Sequence, residues 1–208
     1  MKKNIVVFLI IALIIFVGFH YWGETVALKT ENNYLNSKID TLLNDADIKN
    51  LLMENVLNQF RCEDSDVALP LFLIDENNNK KNIGELSNDS PVLVFRFSEY
   101  NCGICSEFQI KIIKEFMLRY GENGIILITT FRNKRDLMIF KKINNLSIPI
   151  YRVDKNLLNP VIEELNFPYY FILNTNGTMN SVHIPAKEVP LITQQYLQIV
   201  GEKYLKIN

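Results

Sequence analysis

Behind Lys2 and Lys3 the chain carries fifteen residues without a charge, Ile5 to Phe19, with Gly18 the one helix weakener among them. Extended through His20, Tyr21 and Trp22 the run reaches eighteen residues, about 27 Å of helix at ~1.5 Å per residue. That is close to the ~30 Å hydrocarbon core of a bilayer, and residues 1–22 read as a transmembrane signal-anchor. A cleaved signal peptide shares the basic start and the apolar run, but it needs small residues at its cleavage site. Here the run ends Val17-Gly18-Phe19-His20-Tyr21-Trp22, which is bulky and aromatic. Tyr21 and Trp22 suit an interfacial aromatic belt, and the two lysines favour a cytoplasmic N-terminus. On either reading the remainder is exported, and His20 sits at the interface with no catalytic task.

From Gly23 to Phe60 there is no proline. Leu28, Leu35, Ile39, Leu42, Ala46, Met53, Val56 and Phe60 follow an alternating three/four spacing interrupted by Asn32 and Lys49. A second stripe of Ile48, Leu51, Leu52 and Val56 follows Asp47, which fits a helix N-cap. Two readings stay open for this helical stalk over 23–62. One is a short coiled coil that joins two copies into a homodimer. The other, favoured by two polar residues in the seam, is one or two amphipathic helices packed on the following domain or spacing it from the membrane.

Residues 63–208 alternate between strand and helix patterns. Leu71 to Ile74 is a short apolar strand, Asp75 to Asn79 a turn-rich loop, and Lys80 to Ile83 leads towards a second element. Val92 to Phe97 has the near-continuous apolarity of a central buried strand. Phe108, Ile112, Ile113, Phe116 and Met117 then recur at helical spacing up to Gly121. Strands are expected at Ile125–Thr130 and Pro149–Val153, and helices at Lys134–Asn144, Leu157–Leu165 and Val189–Leu205. Asn174-Thr-Asn-Gly177 between Tyr169–Leu173 and Thr178–Ile184 signals a hairpin. The order is α/β.

Composition narrows the function. The 208 residues are 48% hydrophobic and 22% charged, with a net charge of −1 and an isoelectric point near 6.2. No basic surplus or stripe marks a nucleic-acid partner. Three cysteines exclude a disulfide-dense scaffold, and eight glycines with seven prolines exclude a collagen-like or low-complexity chain.

Two of those cysteines form Cys102-Gly103-Ile104-Cys105, between the strongest strand and a helix. A thiol there meets free backbone N–H groups and the positive end of the helix dipole, which stabilise a thiolate. The second sulfur lies one turn along, close enough for a disulfide. Cys102 is then the nucleophile towards a substrate disulfide and Cys105 the resolving thiol. Zinc would need four ligands, and only Cys62, His20, His183 and scattered carboxylates remain to supply them. A purely structural disulfide closing so small a loop adds little stability.

From about Ala68 onward the chain resembles thioredoxin-fold proteins of the exported TlpA-like/redoxin branch. Pro91-Val-Leu-Val-Phe and Cys102-Gly-Ile-Cys105 resemble the strand, active-site loop and helix. Leu69-Pro-Leu-Phe-Leu-Ile-Asp and Lys81-Asn-Ile-Gly-Glu-Leu86 resemble the N-terminal hairpin and following segment. Phe167-Pro168-Tyr-Tyr-Phe-Ile-Leu-Asn-Thr-Asn-Gly177 resembles the cis-proline strand and hairpin. The resemblance implies a thioredoxin-like α/β fold, a central mixed sheet flanked by helices, here behind an N-terminal transmembrane helix and helical stalk. It implies a cis Pro168 beside the dithiol, with Phe167, Pro168, Gly103 and Ile104 meeting the substrate chain.

Departures from that pattern are informative. Asn101 replaces an aromatic residue before the first cysteine, and Ile104 replaces a proline before the second. Thioredoxins proper carry a buried acid six residues before the first cysteine, where this chain has Arg96. Glu99, Glu107 and Glu164 are only weak substitutes for it. Arg96 facing inward would favour the Cys102 thiolate by its charge; facing outward it would be solvated. Arg96 and Glu99 are thus candidate modulators of the thiol. Cys62 is either a partly buried free thiol or an intermolecular disulfide across a stalk dimer. His183 reads as structural. The Pro-x-x-x-Thr-x-x-Cys loop of a peroxidase is absent, and copper-handling relatives space their cysteines by three residues.

These readings converge on a thiol–disulfide oxidoreductase in the cytoplasmic membrane, single-pass, with its domain on the periplasmic or extracellular face. Its partners would be client thiols or disulfides and a redox partner, with no nucleic acid, no metal and no cofactor. The rival reading is a tethered thioredoxin-fold binding module that captures proteins or copper without turnover.

Overall fold

The computed structural model describes residues 2–67, 71–87, 89–98, 103–153 and 158–205, with side chains described throughout these except at 2–17, 27, 103–106 and 160. The proline-free N-terminal stretch forms a single helix, α1 (Lys2–Cys62), unbroken at Asn32 and Lys49. Neither residue is a helix breaker, so the two-helix version of the stalk is not what forms. The chain divides into two compact units, Met1–Asn50 and Leu51–Asn208. Among the described residues no helix is long and apolar enough to cross a membrane. The expected anchor falls largely on side chains 2–17, outside the described ones.

In the first unit every described side chain from Gly18 to Asp47 is exposed. Leu28, Leu35, Ile39 and Leu42 all face solvent.

In the second unit the described strands form one eight-stranded mixed sheet. They are β1 (Ser65–Asp66), β2 (Phe72–Ile74), β3 (Lys80–Asn82), β4 (Val92–Phe97), β5 (Ile125–Thr129), β6 (Ile150–Arg152), β7 (Tyr169–Leu173) and β8 (Thr178–His183). Their order is β1-β8-β7-β4-β5-β6-β2-β3. β4, β5 and β6 run parallel, while β7 pairs antiparallel with both β4 and β8. The helices are α2 (Gly103–Tyr120), α3 (Lys134–Ile143), α4 (Pro160–Glu163) and α5 (Pro190–Tyr204). The expected central mixed sheet with flanking helices is therefore what the sequence builds, and only the two-residue β1 had no pattern to announce it.

Every residue of β4 is buried because the sheet is covered on both faces. Alternate side chains enter different cores, as the period of a strand requires. Val92 and Val94 join Cys62, Leu73, Ile128, Leu158, Ile162, Tyr169 and Phe171 on one face. Leu93, Phe95 and Phe97 join Ile110, Ile113, Leu127, Leu137, Tyr170, Leu197 and Val200 on the other. The β7–β8 hairpin closes as its sequence predicts. Gly177 takes φ +83°, a conformation nearly free of cost only for glycine, and Asn174 N–H donates to Thr178 O over 3.0 Å.

The last three turns of α1 belong to the second unit, with an instructive choice of face. Asn55, Asn58 and Cys62 are buried, whereas Met53, Val56 and Phe60 are exposed. The packed side combines Asn55, Asn58 and Cys62 with half-buried Leu51 and Leu52 of the second stripe, and leaves the first stripe out.

Candidate functional site

The dithiol segment sits where β4 ends and α2 begins. Cys102 and Glu99 lie outside the described residues. Gly103 is the first residue of α2, and Ile104 and Cys105 lie in its first turn, with side chains outside those described. In sequence Cys102 directly precedes the first residue of α2.

Arg96, the fifth residue of β4, follows Val92 and Val94 to the face shared with α4. It is 3% exposed, so of the two orientations open to it the inward one is adopted. A buried guanidinium needs a counter-charge, and Arg96 Nε donates to Glu163 Oε1 over 2.7 Å. Arg96 Nη1 also donates to the carbonyl of Phe97. The ion pair is locally neutral, so the Arg96 charge is largely offset where it lies. Tyr169 OH donates to the same Glu163 oxygen over 3.3 Å. Burial first, and then the Glu163 charge, hold the Tyr169 phenol well above its ordinary range. Glu163 Oε2 is buried without a hydrogen-bond partner among the described residues.

Glu163 is the residue that sequence reasoning missed. Of the three carboxylates singled out, Glu107 and Glu164 are exposed and Glu99 lies outside the described residues. A signal existed: Leu158, Asn159, Ile162 and Glu163 recur at i, i+1, i+4 and i+5, one face of a helical turn, and all four are buried. Asn159 extends the polar cluster, donating through Nδ2 to Ser65 Oγ over 2.9 Å, while Ser65 Oγ donates to the Cys62 carbonyl over 2.6 Å. Cys62 Sγ approaches Asn159 Oδ1 at 4.0 Å. With 0% exposure, Cys62 is a buried free thiol, and the folded domain leaves it no access to a second chain. Burial pushes its pKa up, against a smaller opposing effect of Arg61.

Phe167 and Pro168 lead into β7 and line one wall of an apolar cleft of about 230 Å³. Pro168 is buried and Phe167 is 49% exposed. Gln109 of α2, Leu51 and Asn55 of α1, and the segment after β8 from Ile184 to Glu188 also line it. Gln109 is fixed by Tyr170 OH, which donates to its Oε1 over 2.9 Å. His183 stands apart from this cleft's lining: its Nε2 meets Thr193 Oγ1 at 3.0 Å, and its ring stacks on Tyr196 at 4.5 Å. Burial lowers its pKa to about 4, the behaviour of a neutral core imidazole.

Neither a known family profile nor any curated protein sequence matches the chain. Solved structures do. A protein assigned as the thiol:disulfide interchange protein DsbE of Chlorobium tepidum superposes with a TM-score of 0.50 at 15% identity, over 67% of this chain and 98% of that one. An uncharacterized thioredoxin-like protein of Porphyromonas gingivalis gives 0.50 at 16%, over 67% and 95%. A protein assigned as a disulfide isomerase of Bacteroides thetaiotaomicron gives 0.50 at 13%, over 68% and 89%. Identity this low speaks to architecture alone: the chain has the thioredoxin-like α/β fold, and its structural neighbours include thiol–disulfide oxidoreductases.

Proposed function

We propose that this protein is an exported, membrane-tethered thiol–disulfide oxidoreductase that exchanges a Cys102–Cys105 dithiol with client proteins. The observation that carries the reading is the Cys-x-x-Cys sequence at the junction of β4 and α2 in a thioredoxin-like fold. The Cys102 thiolate attacks a client disulfide, forming a mixed disulfide and releasing one client thiolate. Cys105 then gives up its proton and attacks the Cys102 sulfur, which breaks the mixed disulfide and frees the second client thiolate. The client gains two electrons and the protein keeps the Cys102–Cys105 disulfide until a dithiol redox partner reduces it. The reverse sequence oxidises a client dithiol. Phe167 and Pro168, with Gly103 and Ile104 at the start of α2, are assigned to hold the client chain beside the sulfurs, with Pro168 in the cis form. No cofactor enters this chemistry.

Tethering rests on the fifteen-residue uncharged run behind Lys2 and Lys3 and on the helical backbone α1 has throughout it. An anchor of this kind puts the domain outside the cytoplasmic membrane.

The test uses the full chain in detergent micelles, equilibrated against graded ratios of oxidised and reduced glutathione or dithiothreitol. Reversible cycling of Cys102 and Cys105, followed by alkylation and mass, is expected, with Cys105→Ala trapping mixed disulfides on Cys102 in native membranes. Thiols that do not cycle, together with an empty trap, would transfer the assignment to a binding module.

A further inference from the structure

Within the first unit α1 carries an apolar helix face that is exposed among the described residues. Leu28, Leu35, Ile39 and Leu42 are 64%, 48%, 52% and 60% exposed. The same three/four spacing continues along α1 at Met53, Val56 and Phe60, which are 63%, 42% and 75% exposed. There the helix does have its own domain to pack on, yet it packs the other side, Leu51, Leu52, Asn55, Asn58 and Cys62. The apolar stripe therefore does not serve to dock α1 on the domain. A stripe repeating at 3.5 residues is the signature of a helix paired with another helix.

We infer that α1 forms a parallel two-stranded coiled coil with a second copy of this chain, with Asn32 of each copy facing its counterpart. Heptad positions follow from the spacing. Leu28, Leu35 and Leu42 occupy the d positions, and Thr25, Asn32, Ile39 and Ala46 the a positions. Leucine at d with a β-branched residue at a is the combination that selects two strands, and one asparagine at a fixes register and stoichiometry at some cost in stability. Asn32, which as a plain interruption weakens the seam, becomes its specificity element.

Orientation is settled by the partner Asn32 would meet. In a parallel pair, a positions face a positions, so two Asn32 amides hydrogen-bond across the axis. In an antiparallel pair, a faces d, and the d positions around Asn32, Leu28, Leu35 and Leu42, are all leucine. Each Asn32 would then be buried against a hydrocarbon side chain with its polar atoms unpaired, a costly arrangement. The flanking positions agree. Glu24 at g and Lys29 at e are opposite in charge and meet across a parallel interface. Lys38 at g can lay its methylene stem over exposed Leu43 at e of the other copy. Lys49, at the d position after Ala46, interrupts the apolar seam at the end of the first unit.

The test keeps the full chain in detergent micelles, so that co-residence in one membrane does not bring copies together, and replaces Cys102 and Cys105 by Ser to silence other exchange. Single cysteines are introduced as Leu28→Cys, Leu42→Cys and, on the opposite helix face at an f position, Ser37→Cys. Mild oxidation is expected to give covalent dimers with Leu28→Cys and with Leu42→Cys, each at least tenfold above Ser37→Cys. Light scattering should give a dimer mass for the unmodified chain, and Asn32→Leu should shift it towards higher oligomers. Cross-links only in a mixture of Leu28→Cys with Leu42→Cys, equal yields at Ser37→Cys, or a monomer mass would each overturn the inference. A strictly dimeric Asn32→Leu chain would remove the assigned role of Asn32.

Discussion

Arg96 Nε lies 2.7 Å from Glu163 Oε1, two side chains 67 positions apart in sequence and each only 4% exposed. The contact ties the central strand to the short helix before β7, and it removes both charges from water. Breaking one half of such a pair leaves an unpaired buried charge, which costs about 3–5 kcal/mol. Glu163→Gln, which keeps shape and loses charge, is therefore expected to destabilise the domain on that scale in urea unfolding. Replacing both residues by apolar ones of similar volume should recover most of the loss, because desolvation then no longer opposes folding. A Glu163→Gln chain as stable as the parent would show that the guanidinium finds other compensation.

How much of this was readable beforehand depended on the distance over which the determining interaction acts. β4, β7, the Asn174–Gly177 hairpin and helices α3 and α5 were legible within a residue or two, because each is written in a local apolar period or a local turn residue. The inward turn of Arg96 was not, since it depends on a carboxylate from a helix of four residues whose buried face spans a single turn. The burial of Cys62 was hidden for a different reason. Two apolar stripes compete on this helix, and the packed side takes Leu51 and Leu52 of the second together with the polar Asn55 and Asn58, which no apolar period marks. The dithiol stood out as spacing alone, between a predicted strand and a predicted helix that both form.

That burial has a consequence for where the domain begins. A chain starting at Glu63 discards Asn55, Asn58 and Cys62 from the packed face. It should be less stable than one starting at Leu51 by at least about 2 kcal/mol, the scale of losing a buried side chain. Denaturant melts of the two truncations measure the difference directly; equal midpoints would mean the helix end contributes nothing. In the Leu51 form carrying Cys102→Ser and Cys105→Ser, Cys62 should resist iodoacetamide until the domain unfolds. Its thiol is enclosed, and burial raises its pKa, lowering the reactive thiolate fraction.

Gly201 sets two opposing effects against each other. It lies in α5, where alanine would ordinarily add up to ~1 kcal/mol of helix propensity. A Cβ there would meet the Tyr120 ring at 2.8 Å, and that ring is held against Phe116 at a centroid distance of 4.7 Å. Overpacking of this kind costs about 1–3 kcal/mol, so Gly201→Ala should destabilise on balance. In a Tyr120→Ala background the clash is gone and the same substitution should become neutral or stabilising. The sign reversal, read from two pairs of thermal melts, is the diagnostic; an unchanged sign would point away from the ring.

His183 links stability to pH. Its imidazole is buried, bound to Thr193 Oγ1 and stacked on Tyr196, and its folded-state pKa is about 4 against an ordinary value of 6.5. Below pH 6.5 the unfolded chain takes up a proton that the folded chain refuses until about pH 4. Over that window the unfolded state binds more protons, so stability falls as pH falls, by about 3 kcal/mol in total for a shift of this size. Above pH 6.5 both states are neutral and this contribution is flat. His183→Phe keeps a ring against Tyr196 but cannot titrate. It should be less stable at neutral pH, because Thr193 loses its partner in a fully buried site. Its stability between pH 6.5 and 4 should decline less steeply than that of the parent. Urea midpoints at half-unit pH intervals separate the two effects, and parallel curves for parent and variant would assign the acid sensitivity to other groups.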